Sequence, residues 1–159
     1  MAVHWPAATR RPEHIEDSAA SVPLLLGNRN YVVLRRFTAK EEPRRLVAAP
    51  YLAHRCASAR VGFENHLNYV HRPGGDLDAQ ETLGLAAVLN SDLLDAYLRI
   101  SSGNTQVSAT ELRALPLPAL PSIRRIGDRV AQAPNRLADI LAEELGDAGL
   151  TCCRCRPSP

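Results

Sequence analysis

No stretch of this 159-residue chain stays apolar long enough to span a bilayer. Apolar runs such as Val22–Leu26 are far shorter than the ~20 residues a spanning helix needs. Arg10 and Arg11 are not followed by an apolar stretch of signal-peptide character. The expectation is therefore a cytoplasmic chain with no membrane partner. Cysteine is scarce: of the four, Cys56 stands alone, while Cys152, Cys153 and Cys155 crowd into the last eight residues. No second cysteine pair or histidine lies near them to complete a tetrahedral site, so they read as reduced thiols in a loose tail rather than metal ligands. Signatures of catalysis are missing as well. There is no G-x-G or G-x-x-x-x-G-K-[ST] loop to cradle a cofactor or phosphate, no G-x-S-x-G turn and no H-E-x-x-H pair. The five histidines are scattered, and His66 and His71, five apart in a strand-like run, would point to opposite faces.

Charge is present but unevenly placed. The net charge of +2 hides nine basic residues between Arg29 and Arg72 against three acidic ones, followed by eight basic and eleven acidic residues from Pro73 onward. A basic block beside an acidic one points to a polyanionic partner, or to cations that simply cover a solvated face.

Local patterns predict an α+β fold, a small, mainly antiparallel sheet followed by a helical segment. Residues 1–28 carry three of the twelve prolines and little periodicity, and read as an irregular lead-in. Tyr31–Phe37 and Leu46–Tyr51 are rich in β-branched, aromatic and apolar residues and read as strands. Val61–His71 reads as a third, with Val61, Phe63, Leu67 and Tyr69 on one side and Glu64, His66, Asn68 and Arg72 on the other. Together they predict a twisted sheet with one polar, basic face. Helices are expected over Ala79–Leu89, then from an Asn90-Ser91-Asp92 break to Ile100 with Leu94, Tyr97 and Leu98 facing the core. The S-x-x-E sequence Ser108–Glu111 is a capping box opening a short helix that Pro116 ends. Ile123–Gln132 and Asn135–Leu145 complete the set, the last stopped by Gly146.

Two polar stretches have no evident core role. Ser102–Val107 (SGNTQV) joins a helix to the capping box, and its Asn104, Thr105 and Gln106 suit bidentate adenine contacts and phosphate contacts. It suits equally a hydrogen-bonded loop tying helices to the sheet. The same two readings apply to Glu64–Asn68 (ENHLN).

These stretches carry a resemblance. Asn28–Glu42, NRNYVVLRRFTAKEE, resembles the N-x-N-Y-V-L-x-R-R-F-[ST]-[AS]-K-E-E segment in the C-terminal specificity regions of N6-adenine DNA methyltransferases of restriction–modification systems. Arg45–Ala49, Glu64–Tyr69, Leu89–Ser91 through Tyr97, Gly103–Val107 and Glu111–Pro118 follow in the same order, and the LNS and LPLP elements are similar to target-recognition domains of type I specificity subunits. The resemblance covers about residues 28–145. It implies a parent enzyme that moves a methyl group from S-adenosylmethionine to adenine N6, using a cofactor loop and an N/D-P-P-Y/F/W tetrapeptide around a flipped base. This chain contains no Pro-Pro at all, so no catalytic residue carries over and no cofactor is expected on this chain itself.

What carries over is the reading of double-stranded DNA, beside a methyltransferase catalytic domain or subunit. Arg35, Arg36, Lys40, Arg44, Arg45 and Arg72 are the expected phosphate contacts. Asn65, His66, Asn68, Asn104, Thr105 and Gln106 are the expected contacts to bases or the close backbone. Five such cations on phosphate would give a log affinity–log salt slope near −4 to −5. The corresponding organisation is a lead-in (1–28), a target-recognition domain (29–118), a helical hairpin-like extension (119–146) and a loose cysteine-containing tail (147–159). The alternatives are one subunit of a split methyltransferase, or the inactive remnant of a truncated gene.

Overall fold

Alternation along one strand sets the architecture. The fold is that of a computed structural model, which describes residues 15–103 and 105–147. Strand β2 (Tyr31–Arg35) is central in a three-stranded antiparallel sheet of order β3-β2-β5, between β3 (Ala48–Tyr51) and β5 (Leu67–Val70). β1 (Leu26–Gly27) and β4 (Arg60–Val61) form a separate antiparallel pair. The chain is α+β, as its sequence pattern predicts. Pro50 is tolerated in β3 because that strand is at an edge, where a missing N–H leaves no neighbour unserved.

Both faces of β2 are covered. Val32 and Leu34 join the main core beneath the helices, while Tyr31 and Val33 join Tyr51 and Val61 in a second cluster completed by Leu26, Phe63 and Leu67. The Tyr69 ring closes edge-on to Tyr31 at 5.6 Å. This corrects the expected polar, basic sheet face: a period-2 strand with apolar residues at both parities is buried on both sides. Val61–His71 is likewise not one strand. Glu64–His66 turns the chain, with the Leu67 N–H donating to the Glu64 carbonyl at 3.0 Å, so β4 and β5 are separate. Val61, Phe63, Leu67 and Tyr69 nevertheless share one side, as expected.

Helix α1 (Ala79–Leu89) opens with a capping box between Asp78 and Glu81 and is buried nearly all round from Glu81 on, because it lies between the sheet and α4 (Leu120–Gln132). α2 (Asp92–Ser101) begins at the Ser91 cap, and α3 (Ala109–Arg113) at the Ser108–Glu111 capping box, both as predicted. On α2, however, Leu94, Asp95 and Leu98 are buried while Tyr97 is exposed. α5 (Leu137–Asp147) includes Gly146 in its last turn and ends two residues beyond the expected end at Leu145. Ile123, Ile126, Val130, Ile140, Leu141 and Leu145 all belong to the core that contains Val32 and Leu34.

Three asparagines fasten the strands. The Asn28 amide donates to the carbonyls of Ala53, Cys56 and Ser58 at 3.2, 3.1 and 2.8 Å, and its oxygen accepts from the Tyr51 hydroxyl at 2.9 Å. Asn30 bridges the Ala53 N–H and the Leu77 carbonyl, both at 2.9 Å. Asn90 meets both backbone groups of Ala48, accepting at 3.1 Å and donating at 2.8 Å, much as a neighbouring strand would. Asn28→Ala should lower the free energy of unfolding by about 2 kcal/mol in urea titration, since several backbone acceptors lose their donor together. A loss below about 0.5 kcal/mol would show that water replaces those bonds at no cost.

Candidate nucleic-acid interface

The polar residues gather at one end of the sheet. β2 leaves the sheet at Arg35, opposite Leu67 at the start of β5. Beyond that point residues 105–107 take over as antiparallel partner of the chain at 36–38. Phe37 bridges Gln106, the Thr38 N–H donates to the Thr105 carbonyl at 3.0 Å, and the Val107 N–H donates to the Arg36 carbonyl at 2.7 Å. The Arg36 N–H reaches the His66 carbonyl at 2.8 Å, so the turn at Glu64–His66 borders the same end. Asn68 locks the two segments together by donating to the Val107 carbonyl at 2.8 Å.

The Arg36 guanidinium lies across this surface. It donates to the Asn65 carbonyl at 3.3 Å and, with the Gln106 amide turned so that its oxygen faces the guanidinium, to Gln106 at 2.8 and 2.7 Å. Its central carbon sits 5.5 Å from the Phe37 ring centroid, a cation–π distance. His66 meets the same ring at 5.3 Å and pairs with Glu64 through Nδ1. The His66 N–H and imidazole, both turned on Glu64, hold that carboxyl below its ordinary range, the backbone N–H most strongly.

The structure thus brings Arg35, Arg36, Asn65, His66, Asn68, Thr105 and Gln106 to one end of the sheet. Lys40 is exposed on the adjoining loop. Asn104 lies outside the described residues, as do Cys152, Cys153 and Cys155. Three expected phosphate contacts are placed elsewhere. Arg45 is only 2% exposed and donates to the Ser102 carbonyl at 2.8 Å. Arg44 pairs with Asp92 and the Asn90 carbonyl at the start of α2. Arg72, past the far end of β5, holds the buried Glu81 carboxylate at 2.6 Å together with Arg124 at 2.8 Å.

The basic block is therefore largely neutralised by the molecule's own acids. Arg29 pairs with Asp76, Arg35 with Glu42, Arg44 with Asp92, Arg60 with Asp17 and Arg72 with Glu81. Of the other four cations, Arg45 is buried on the Ser102 carbonyl, and Arg36, Lys40 and Arg55 have no carboxylate partner among the described residues.

Sequence reasoning missed three residues that shape this end. Phe37, the last residue of the expected strand, lies two residues past the end of β2 with its side chain exposed. Asp95, buried on α2, accepts from the backbone N–H groups of Arg45 and Leu46 at 2.6 and 2.8 Å. Arg99, held by Asp95 at 2.8 Å, donates to the carbonyls of Lys40, Glu42 and Pro43 at 3.0, 2.7 and 3.2 Å and so sets the path of the loop bearing Lys40. The aspartate–arginine spacing of four on α2 was the available signal.

No helix among the described residues is long and apolar enough to cross a membrane. No protein-family model matches the chain, and no solved structure matches it. Two curated proteins do. Over 127 residues, 79% of this chain and 25% of the relative, it is 41% identical to the type II methyltransferase M.PstI of Providencia stuartii. Over 155 residues, 92% of this chain and 31% of the relative, it is 32% identical to the type II methyltransferase M.BsuBI of Bacillus subtilis. The homologues of this chain are type II methyltransferases, and it corresponds to between a quarter and a third of their length.

Proposed function

We propose that this chain is the DNA-contacting, target-recognition part of an adenine-N6 DNA methyltransferase of a restriction–modification system. It acts beside a catalytic part that binds S-adenosylmethionine and is carried by the same or another polypeptide. The observation that supports this most is the likeness to type II methyltransferases over nearly all of the chain but a minor share of theirs, in a sequence without a Pro-Pro tetrapeptide or a G-x-G loop. Arg36, Lys40 and Arg35 grip phosphates. Asn65, His66, Thr105, Gln106 and Asn104 supply donors and acceptors to bases or the nearby backbone. Asn68 positions the 105–107 segment, and Arg44, Arg45 and Arg72 hold the scaffold.

Because most of the basic block is internally paired, the number of phosphate contacts at the sheet end is about two to three, and the log affinity–log salt slope should be about −2 to −3. That is shallower than composition alone implies. Fluorescence anisotropy of the chain on labelled duplex, from 50 to 300 mM salt, measures it. Arg36→Ala together with Lys40→Ala should flatten the slope by roughly 2. A wild-type slope near zero would remove the proposal, and an unchanged slope in the double variant would move the phosphate contacts away from this end of the sheet.

A further inference from the structure

Among the described residues, Phe37 is the one exposed large apolar side chain set among the polar groups of this sheet end. The residue is 43% exposed and belongs to neither apolar cluster. Tyr69 is comparably exposed, yet it is packed against Tyr31 and Phe63 in the second cluster. Phe37 instead leans on Arg36 and on the His66 ring, and its backbone is pinned between the Thr38–Thr105 and Arg36–Val107 hydrogen bonds. The ring is therefore pre-organised rather than free. An exposed phenyl ring costs free energy in water, and one framed by a guanidinium, an imidazole and amide donors matches a flat heteroaromatic partner with polar edges.

Resting on the function proposed above, we infer that Phe37 is a stacking residue for a nucleobase that has lost its pairing partner. Reaching adenine N6 requires taking the adenine out of the duplex, which leaves an unpaired base and a gap in the stack. A ring held beside phosphate-gripping cations fills such a gap, as apolar wedges do in other protein–DNA complexes. Arg36 has a double part here, as a cation on phosphate and as the group that fixes the ring's plane.

Two labelled duplexes test the assignment: one fully paired, and one identical except for a central abasic site opposite thymine. The 159-residue chain should bind the abasic duplex about tenfold more tightly, the effect of one stacked base. Phe37→Ala should abolish that preference, so that the variant binds the two duplexes with equal affinity. Phe37→Trp in a Trp5→Phe background should keep the preference and show indole fluorescence quenched by the abasic duplex and not by the paired one. If wild type binds both duplexes equally, or if the alanine variant keeps the preference, the stacking role is overturned while DNA binding stands, and the exposed ring serves a protein contact instead. If wild type binds neither duplex, the parent proposal fails with it.

Discussion

Gly84→Ala is expected to lower the stability of the chain by about 4 kcal/mol, the far end of the range for overpacking. A Cβ at Gly84 would lie 1.9 Å from the Ile123 carbonyl oxygen and 2.8 Å from its carbon. The same crossing is blocked from the other side: a Cβ at Gly127 would lie 1.9 Å from the Gln80 carbonyl oxygen. Both obstacles are backbone, so no rotamer change relieves them, and α1 and α4 must separate. Ile123, Ile126 and Val130, all buried against α1 and the sheet, would lose packing along the whole interface. For a domain of this size the loss corresponds to roughly 8–16 °C in Tm, readable by thermal denaturation followed at 222 nm. Gly127→Ala should cost a similar amount, and the double variant much less than the total of the two, since the first alanine already opens the crossing. An alanine variant within 2 °C of wild type would mean that the two helices do not touch backbone to backbone.

The second large effect is at Asp95. Its carboxylate joins α2 to the backbone of Arg45 and Leu46 and to Arg99, and through Arg99 to the loop that carries Lys40. Asp95→Ala strands two backbone N–H groups and a partly buried guanidinium, and should cost about 3 kcal/mol. Asp95→Asn keeps Oδ1 as acceptor for the two N–H groups but puts an amide donor where Oδ2 accepts from Arg99, so about half that loss is expected. Because the loop is held through this residue, the alanine variant should also bind duplex more weakly, whereas Asn28→Ala, on the far side of the sheet, should not.

Acid should act in the same direction. Burial pushes the Asp95 carboxyl up, but the Leu46 N–H, the Arg99 guanidinium and the Arg45 N–H together outweigh it and hold the group below its ordinary value. A carboxyl depressed in the folded state binds protons more readily when unfolded. Its contribution is complete above the unfolded value near 4 and is lost as pH falls through the lower folded value. Urea midpoints measured from pH 6 to pH 2.5 should therefore fall more steeply below pH 4 in wild type than in Asp95→Asn. Equal slopes in the two proteins would show that Asp95 does not carry this linkage.

Much of the local structure was written in short stretches. α1, α2 and the α3 capping box follow from apolar spacing and from Ser91, Ser108 and Glu111. A helix end is satisfied by residues three or four positions away, and such neighbours are visible in one dimension. The clustering of Asn65, His66, Thr105 and Gln106 was legible only as two separate polar stretches. Their union depends on residues 105–107 pairing with 36–38, across a separation that spans two helices. Charge was the least legible property. Arg44, Arg60 and Arg72 look available in sequence, yet their partners Asp92, Asp17 and Glu81 come from other parts of the chain.

Sequence by itself determined the α+β class, the helix caps and the likeness to a portion of the methyltransferases. Tertiary structure alone decided which cations stay free, that both faces of β2 are buried and that Phe37 is exposed at the sheet end. Hydrogen bonds at helix ends close over a few residues, whereas a guanidinium or a ring takes its partner from whatever the chain's path brings within about 4 Å, and that path is a property of the packed whole.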